Sequence, residues 1–295
     1  MQYLVLGGCL KKEKTMAKTF SQATSKSENR VLVVDALNLA FRWKHKGSVD
    51  FRNDYVTTVK SLAQSYKCGR IIITADQGSS SFRKGLSPDY KQNRKDKFKE
   101  QTEAERQAFI DFFEEFEATL ELLAEEYEVL RFDKVEADDI AAHLVRYKDK
   151  YNLDYIWLIS TDRDWDLLIS DTVNRFSYIT RKEITLDNWS EHYDVSPEEY
   201  ISYKCLIGDP GDGVMGVAGI GPKRASGLVQ QYGSAMDIYD ALPIDSKYKY
   251  IQSLNNSGEI IPLNYELMDL LTYCDDAIGS SNCLEIQQKM MTVNS

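Results

Sequence analysis

Three short runs of apolar, largely β-branched residues each lead into an acidic residue, and this recurrence constrains the fold more than any other feature of the chain. Val31-Leu32-Val33-Val34 ends in Asp35, Ile71-Ile72-Ile73-Thr74 in Ala75-Asp76, and Tyr155-Ile156-Trp157-Leu158-Ile159-Ser160 in Thr161-Asp162-Arg163-Asp164. Runs of this kind fit strands buried on both faces. Between the first two, Tyr55, Val59, Leu62, Ala63 and Tyr66 recur at helical spacing. Strands alternating with helices predict an α/β fold with a mostly parallel central sheet. Ligands of such sheets bind beyond the carboxyl ends of the strands, so three aspartate-terminated strands would aim their carboxylates into one crevice.

Two helices are expected between the second and third runs. A Thr102-Glu103-Ala104-Glu105 capping box should open one, with Phe109, Phe112, Phe113, Phe116, Leu120, Leu123 and Tyr127 as its apolar stripe, read as ordinary core. Another should begin near Val135-Glu136-Ala137-Asp138-Asp139 and bury Ile140, Ala141, Leu144 and Val145. One acidic residue in a first turn is explained by the helix dipole, but three carboxylates in four positions repel one another. Beyond Arg181-Lys182 the chain reads as mainly helical, with a capping signal at Ser196-Pro197-Glu198-Glu199.

Asp35, Asp76, Glu136, Asp138, Asp139, Asp162, Asp164, Asp209 and Asp212 thus lie at strand ends, at a helix start and in a glycine-rich turn. Two like charges about 4 Å apart repel by roughly 4 kcal/mol at an effective dielectric near 20, and divalent cations are the usual remedy. All-oxygen ligands suit Mg²⁺ or Mn²⁺ and disfavour zinc. His45, His143 and His192 are scattered without metal-binding spacing and are assigned structural roles. Aspartate-rich sites holding two or more such ions serve phosphodiester hydrolysis without a side-chain nucleophile.

The formal net charge of −10 would argue against a nucleic-acid partner, but the nine carboxylates account for nearly all of it. Between Arg83 and Lys97, the bases Arg83, Lys84, Lys91, Arg94, Lys95 and Lys97 face only Asp89 and Asp96, enough to contact several phosphates, and Tyr90 and Phe98 are placed to stack on bases. Gly216-Val217-Ala218-Gly219-Ile220-Gly221-Pro222-Lys223-Arg224-Ala225 reads as a tight turn opening a helix, whose backbone N–H groups, with Lys223 and Arg224, suit a phosphate. Such contacts position a duplex without reading its sequence.

The ordered motifs Val33 to Arg42, Tyr90-Lys91-Gln92-Asn93-Arg94, Val135 to Asp139, Ser160 to Asp166 and Gly208 to Ala225 resemble those of the 5′ nucleases. This family comprises flap endonucleases, bacteriophage 5′–3′ exonucleases, those of the T-five type being most similar, and the nuclease domain of bacterial DNA polymerase I. The resemblance implies that Asp76, Glu136, Asp138 and Asp139 hold a first metal, with Asp35 bridging or in its outer shell, and that Asp162, Asp164, Asp209 and Asp212 serve a second. It makes Lys91 and Arg94 electrostatic stabilisers at the scissile phosphate and Tyr90 a platform for the terminal nucleotide. Arg42, Lys97 and Lys204 match further basic, DNA-binding positions. Lys223 and Arg224 match a duplex-binding helix–turn–helix that in this family also holds K⁺. The chain departs from the pattern at Ala36, Arg163 and Gly213, and Arg163 is placed to pair with a second-site carboxylate.

The expected organisation is a flexible leader at 1–30, an α/β nuclease core of PIN-like type at 31–190 carrying a helical arch at about 87–125, a helical DNA-binding region at 191–277 with its glycine turn at 216–225, and a tail at 278–295. The expected activity is metal-dependent flap endonuclease and 5′–3′ exonuclease cleavage of branched DNA bearing a 5′ single strand. A PIN-like ribonuclease and a nonenzymatic structure-specific DNA binder are the alternatives. Five scattered cysteines, Cys9, Cys68, Cys205, Cys274 and Cys283, without a CxxC pair fit a reducing cytoplasm. The only N-terminal apolar run, Tyr3 to Leu6, is too short to span a membrane. A monomer is expected.

Overall fold

Residues 27–47 and 49–292 are described by a computed structural model. In chain order, β1 (Ser27–Asp35), α1 (Ala36–Lys44), α2 (Arg52–Ser65) and β2 (Cys68–Thr74) precede α3 (Ser81–Leu86), α4 (Gln92–Lys99) and α5 (Glu103–Ala124). β3 (Glu128–Leu130), α6 (Ala137–Arg146), β4 (Tyr155–Ile159), β5 (Val173–Ser177) and β6 (Lys182–Ile184) follow. Then come α7 (Tyr200–Ile207), the two-residue strands β7 (Gly208–Asp209) and β8 (Val214–Met215), α8 (Pro222–Tyr232) and α9 (Ala235–Asp240). The chain continues through α10 (Lys249–Asn256), α11 (Ile260–Met268), α12 (Leu270–Ile278) and α13 (Ser280–Thr292).

The main sheet has the order β3-β2-β1-β4-β5-β6, parallel except for β6. Its register brings the three acidic strand ends level, with Asp35 opposite Thr74 and Val34 opposite Ile159. Alternate residues of the central strands feed two cores. Leu32, Val34, Ile73, Trp157 and Ile159 pack beneath α1, α2 and α5, whereas Val31, Val33, Ile72, Ile156 and Leu158 pack beneath α6, α12 and α13. A separate core built on Leu206, Ile220, Leu228, Val229 and Leu254 holds the later helices together.

The Thr102–Glu105 capping box forms as read, and Phe112, Phe116, Leu120 and Leu123 are buried, so the C-terminal half of the expected arch belongs to the core. Two expected boundaries are corrected. β1 begins at Ser27, inside the segment read as a leader, while residues 1–26, with Cys9, lie outside the described residues. The segment read as a tail forms α13, whose Ile286 and Met290 are fully buried against the sheet's second core. Their i, i+4 spacing was the available signal. β3, β5 and β6 carry no strand signal in the sequence because β3 and β6 have three residues each and β5, Val-Asn-Arg-Phe-Ser, is mostly polar, with Asn174, Arg175 and Ser177, while buried throughout.

Candidate active site

Each carboxylate in the crevice sits at a strand end or helix start and is held there by hydrogen bonds, some local and some from segments distant in sequence. Asp35 ends β1 and caps α1, accepting from Asn38 N at 3.1 Å, while its other oxygen accepts from Ser160 Oγ at 2.9 Å. Asp76 accepts from Ala137 N at 2.7 Å, at the positive end of α6. Asp138, in the first turn of that helix, accepts from Trp165 Nε1 at 2.6 Å. Asp162 accepts from Asp164 N at 2.9 Å in the turn after β4.

Asp35, Asp76, Asp138 and Asp162 therefore converge at the carboxyl edge of the sheet. Burial, then the charges of Asp76 and Asp162, pushes Asp35 well above the usual carboxylate range. Burial and the charges of Asp162, Asp35 and Asp76 do the same to Asp138. Burial also raises Asp76, with Glu136 adding to the effect. This is the energetic signature of anions gathered in a low dielectric with too little counter-charge.

The remaining acidic residues are neutralised by the protein itself. Lys91 Nζ reaches Glu136 Oε1 at 2.9 Å and Asp212 Oδ2 at 3.6 Å, and Arg94 Nη2 meets Asp212 Oδ1 at 2.5 Å. Against the upward push of burial, Lys91 and Arg83 hold Glu136 below its usual range, and Lys91 and Arg94 do so for Asp212. Lys204 bonds Asp164 and lies 3.6 Å from Asp209 Oδ2. Burial, opposed by Lys204 but supported by Asp162 and Asp209, still pushes Asp164 up to about 6.

Several sequence expectations are revised by this geometry. Tyr90 is 4% exposed and donates toward Glu136 Oε2 at 3.1 Å and Asp212 Oδ2 at 3.0 Å, so its ring is packed in the core and not presented as a stacking platform. Lys204, 5% exposed, is an internal counter-ion and not a surface contact for DNA. Asp139 is occupied by Arg83, from which both of its oxygens accept, at 2.7 and 2.8 Å, inside the protein, and the same guanidinium lies 3.4 Å from Glu136 Oε2. That arginine, read as part of a basic loop, is buried because its guanidinium also finds Leu267 O at 2.9 Å. Arg163 is exposed and stacks over Tyr193, leaving Lys204 as the partner of Asp164.

Arg42 is half-buried on α1 over the Trp43 ring. Lys97 lies on α4, but its side chain is outside the described residues. Lys223 and Arg224 are exposed in the first turn of α8, which starts with Gly221 as N-cap and Pro222 behind it. Arg224 Nη1 donates to Gly219 O at 2.5 Å and its guanidinium covers Tyr250, bracing the turn at Gly219, whose φ of +80° suits glycine. Arg83, Ser160 and Trp165 are site residues that reading by strand ends and spacing missed, because their roles depend on contacts distant in sequence.

Two grooves open on different carboxylates of the crevice. One, of about 400 Å³, runs from Asp162 and Asp164 past Lys204 and Asp209 to Pro222 and Ser226 on α8. The other, of about 310 Å³, runs from Asp76, Glu136, Lys91 and Arg94 to Phe113 and Phe116 on α5.

Comparison with known proteins places this architecture. Residues 30–194 match the model of the 5′–3′ exonuclease N-terminal resolvase-like domain, and residues 195–290 that of the 5′–3′ exonuclease C-terminal SAM fold. The chain belongs to the 5′–3′ exonuclease family. The flap endonuclease of Escherichia phage T5 is 42% identical over 261 residues, covering 88% of this chain and 89% of that protein. The flap endonuclease Xni of Shewanella woodyi is 28% identical, covering 83% and 94%. A crystal structure of the T5 5′-exonuclease with bound zinc superposes with a TM-score of 0.86 at 40% identity, covering 90% of this chain and all of that one. A pseudo-enzyme-product complex of the T5 flap endonuclease with DNA and metal ions gives the same TM-score and identity, covering 90% and 98%. In this member of the 5′–3′ exonuclease family, α12 and α13 fall mostly within the C-terminal match, yet they pack on α6 and the sheet.

Proposed function

We propose that the protein is a structure-specific 5′ nuclease that uses divalent metal ions to hydrolyse phosphodiesters in branched or flapped DNA, with both flap endonuclease and 5′–3′ exonuclease activity. The observation that carries this reading is the convergence of Asp35, Asp76, Asp138 and Asp162 at the carboxyl edge of the sheet, with Asp35 and Asp138 raised by burial and by the charges of neighbouring aspartates, and with one groove opening on Asp162 and another on Asp76.

The donor set fits small, hard cations. It consists of carboxylate oxygens, and the four central ones have no lysine or arginine partner within salt-bridge distance among the described residues. Asp35, Asp76, Glu136 and Asp138 would hold Mg²⁺ or Mn²⁺ on one side, and Asp162, Asp164, Asp209 and Asp212 on the other. Asp139 supports the first group through Arg83, which also lies 3.4 Å from Glu136 Oε2. When bound, such ions lower the pKa of the attacking water and stabilise charge on the leaving oxygen.

The protein's own groups position the strand. Lys91 and Arg94 exchange their carboxylate partners for oxygens of the scissile phosphate and stabilise the charge that develops there. The groove toward α8 takes the duplex, whose backbone meets Lys223, Arg224 and backbone N–H groups at the start of α8, and carbonyl oxygens of the glycine turn would hold K⁺. The groove toward α5 takes the 5′ single strand, with Arg42 and Lys97 as further phosphate contacts. In-line attack leaves a 5′-phosphate and a 3′-hydroxyl. The enzyme acts as a monomer in the cytoplasm, and among the described residues no helix is long and apolar enough to cross a membrane.

The deciding experiment is cleavage of a 5′-labelled flap duplex and a matching blunt duplex in EDTA, Mg²⁺ or Mn²⁺, beside an Asp138→Asn control. Metal-dependent cutting near the junction, lost in the control, supports the proposal. Binding without cutting in every metal overturns it in favour of a nonenzymatic DNA binder.

A further inference from the structure

A second group of metal-ligating side chains lies outside the carboxylate crevice, on the same helix. His143 stands five residues after Asp138 on α6, about 7 Å further along its axis. Its Nδ1 is 2.7 Å from Asp275 Oδ1 on α12, and Cys283 Sγ on α13 lies 3.9 Å from that same oxygen. Nitrogen, oxygen and sulfur atoms from three helices all lie within 4.8 Å of one another. Ligands of a tetrahedral zinc ion stand roughly 3.3–3.6 Å apart, given bond lengths of about 2.0–2.3 Å. Side-chain adjustment is enough to reach that spacing.

We propose that His143 Nδ1, Asp275 Oδ1 and Cys283 Sγ form a binding site for one zinc-class transition-metal ion, distinct from the oxygen-only nuclease centre. The surroundings are organised as metal sites require. The other nitrogen of His143, Nε2, is 2.9 Å from Tyr151 Oη, and the other oxygen of Asp275 accepts from Tyr147 Oη at 2.6 Å. Such partners set the imidazole tautomer and the carboxylate orientation, leaving Nδ1 and Oδ1 for the ion. On binding, Nδ1 gives up its hydrogen bond to Asp275, the ring proton resides on Nε2 facing Tyr151, and the Cys283 thiol releases its proton to solvent.

The site opens into a cavity of about 380 Å³ lined also by Lys150 and Gln287, leaving room for water as a fourth ligand. Lys150 is engaged with Gln287 Oε1 at 2.8 Å, and Arg146 Nη1 is 3.9 Å from Asp275 Oδ2. A dication balances the carboxylate and thiolate, so the bound site is neutral beside these two bases, where the metal-free site carries the one negative charge of Asp275. Mixed nitrogen, oxygen and sulfur donors select Zn²⁺ or Co²⁺ over Mg²⁺. The ion would staple α6, which carries Asp138, to α12 and α13.

The test is titration of the full chain with Co²⁺ in excess Mg²⁺, which keeps the oxygen-only centre occupied, reading the sulfur-to-cobalt charge-transfer absorption. One Co²⁺ per chain is expected, with a band that is lost in Cys283→Ser and kept in Cys274→Ser. Tyr151→Phe should keep the band but weaken binding about tenfold or more. A second measurement uses the unaltered protein: Zn²⁺, but not Mg²⁺, should slow alkylation of Cys283 at least tenfold by mass spectrometry. Absence of the band, its survival in Cys283→Ser, or alkylation indifferent to Zn²⁺ would overturn the proposal.

Discussion

Arg83 grips Asp139 with two parallel hydrogen bonds of 2.7 and 2.8 Å, and both side chains are almost wholly inside the protein. The pair joins α3 to the first turn of α6 and converts one member of an acidic triplet into a structural anchor. Replacing Arg83 with Met should cost about 3–5 kcal/mol, since it leaves a buried carboxylate without its partner. The companion Arg83→Met/Asp139→Leu variant should recover much of this loss. Chemical denaturation of both variants tests the assignment, and equal instability of the two would show that the charge pair is not the source.

Asp138→Asn should abolish flap cleavage, leave junction binding nearly unchanged and raise the melting temperature of the protein in EDTA. Its folded-state pKa is raised, so the charged carboxylate opposes folding once ionised. The gain should be absent below the unfolded-state value near 4, grow as pH rises toward the folded-state value and level off above it. Thermal melts across pH in EDTA provide the check, with a pH-independent difference counting against the electrostatic explanation.

Lys204 is a built-in cation for the other half of the crevice, bonded to Asp164 and close to Asp209. Lys204→Met should destabilise the metal-free protein by about 3–5 kcal/mol and make its melting temperature respond more steeply to Mg²⁺. Unchanged stability with weakened DNA binding would restore the surface-contact role read from the sequence.

Protonation should compete with metal binding. Asp164 is pushed up to about 6, and Asp35 and Asp138 are also raised. The stability that protonated Asp164 contributes is fully present below its ordinary value of 3.8 and disappears as pH rises through about 6, the range over which the ionised form proposed to hold metal appears. Single-turnover cleavage should therefore fall below about pH 6, and higher Mg²⁺ should move this acid limb to lower pH. An acid limb insensitive to Mg²⁺ would separate the titrating group from the metal site.

If Lys91 stabilises the reacting phosphate as proposed, Lys91→Ala should reduce the single-turnover rate by roughly 10²–10³ while changing junction affinity far less. Rate and binding constants measured on one flap substrate would distinguish this from loss of general phosphate affinity, in which binding would weaken as much as turnover.

Much of the fold was legible because its signals are local. The runs before Asp35, Asp76 and Asp162 are strands, legible as short continuous apolar stretches, and the stripe from Phe109 to Leu123 is a helix face, legible by its helical spacing. Ile286 and Met290 had the right spacing too, but whether that short amphipathic segment docks depends on a distant surface formed by α6 and the sheet.

The sequence by itself determined which residues end strands and start helices, and hence that carboxylates would gather at one edge of a parallel sheet, because hydrophobic period and capping chemistry act over a few residues. Tertiary structure alone decided which of those carboxylates stay uncompensated. Arg83 meets Asp139 across 56 positions, Lys91 meets Glu136 across 45, and Lys204 meets Asp164 across 40. Ionic pairing inside a protein depends on distance and burial, and neither is encoded in the spacing of residues along the chain.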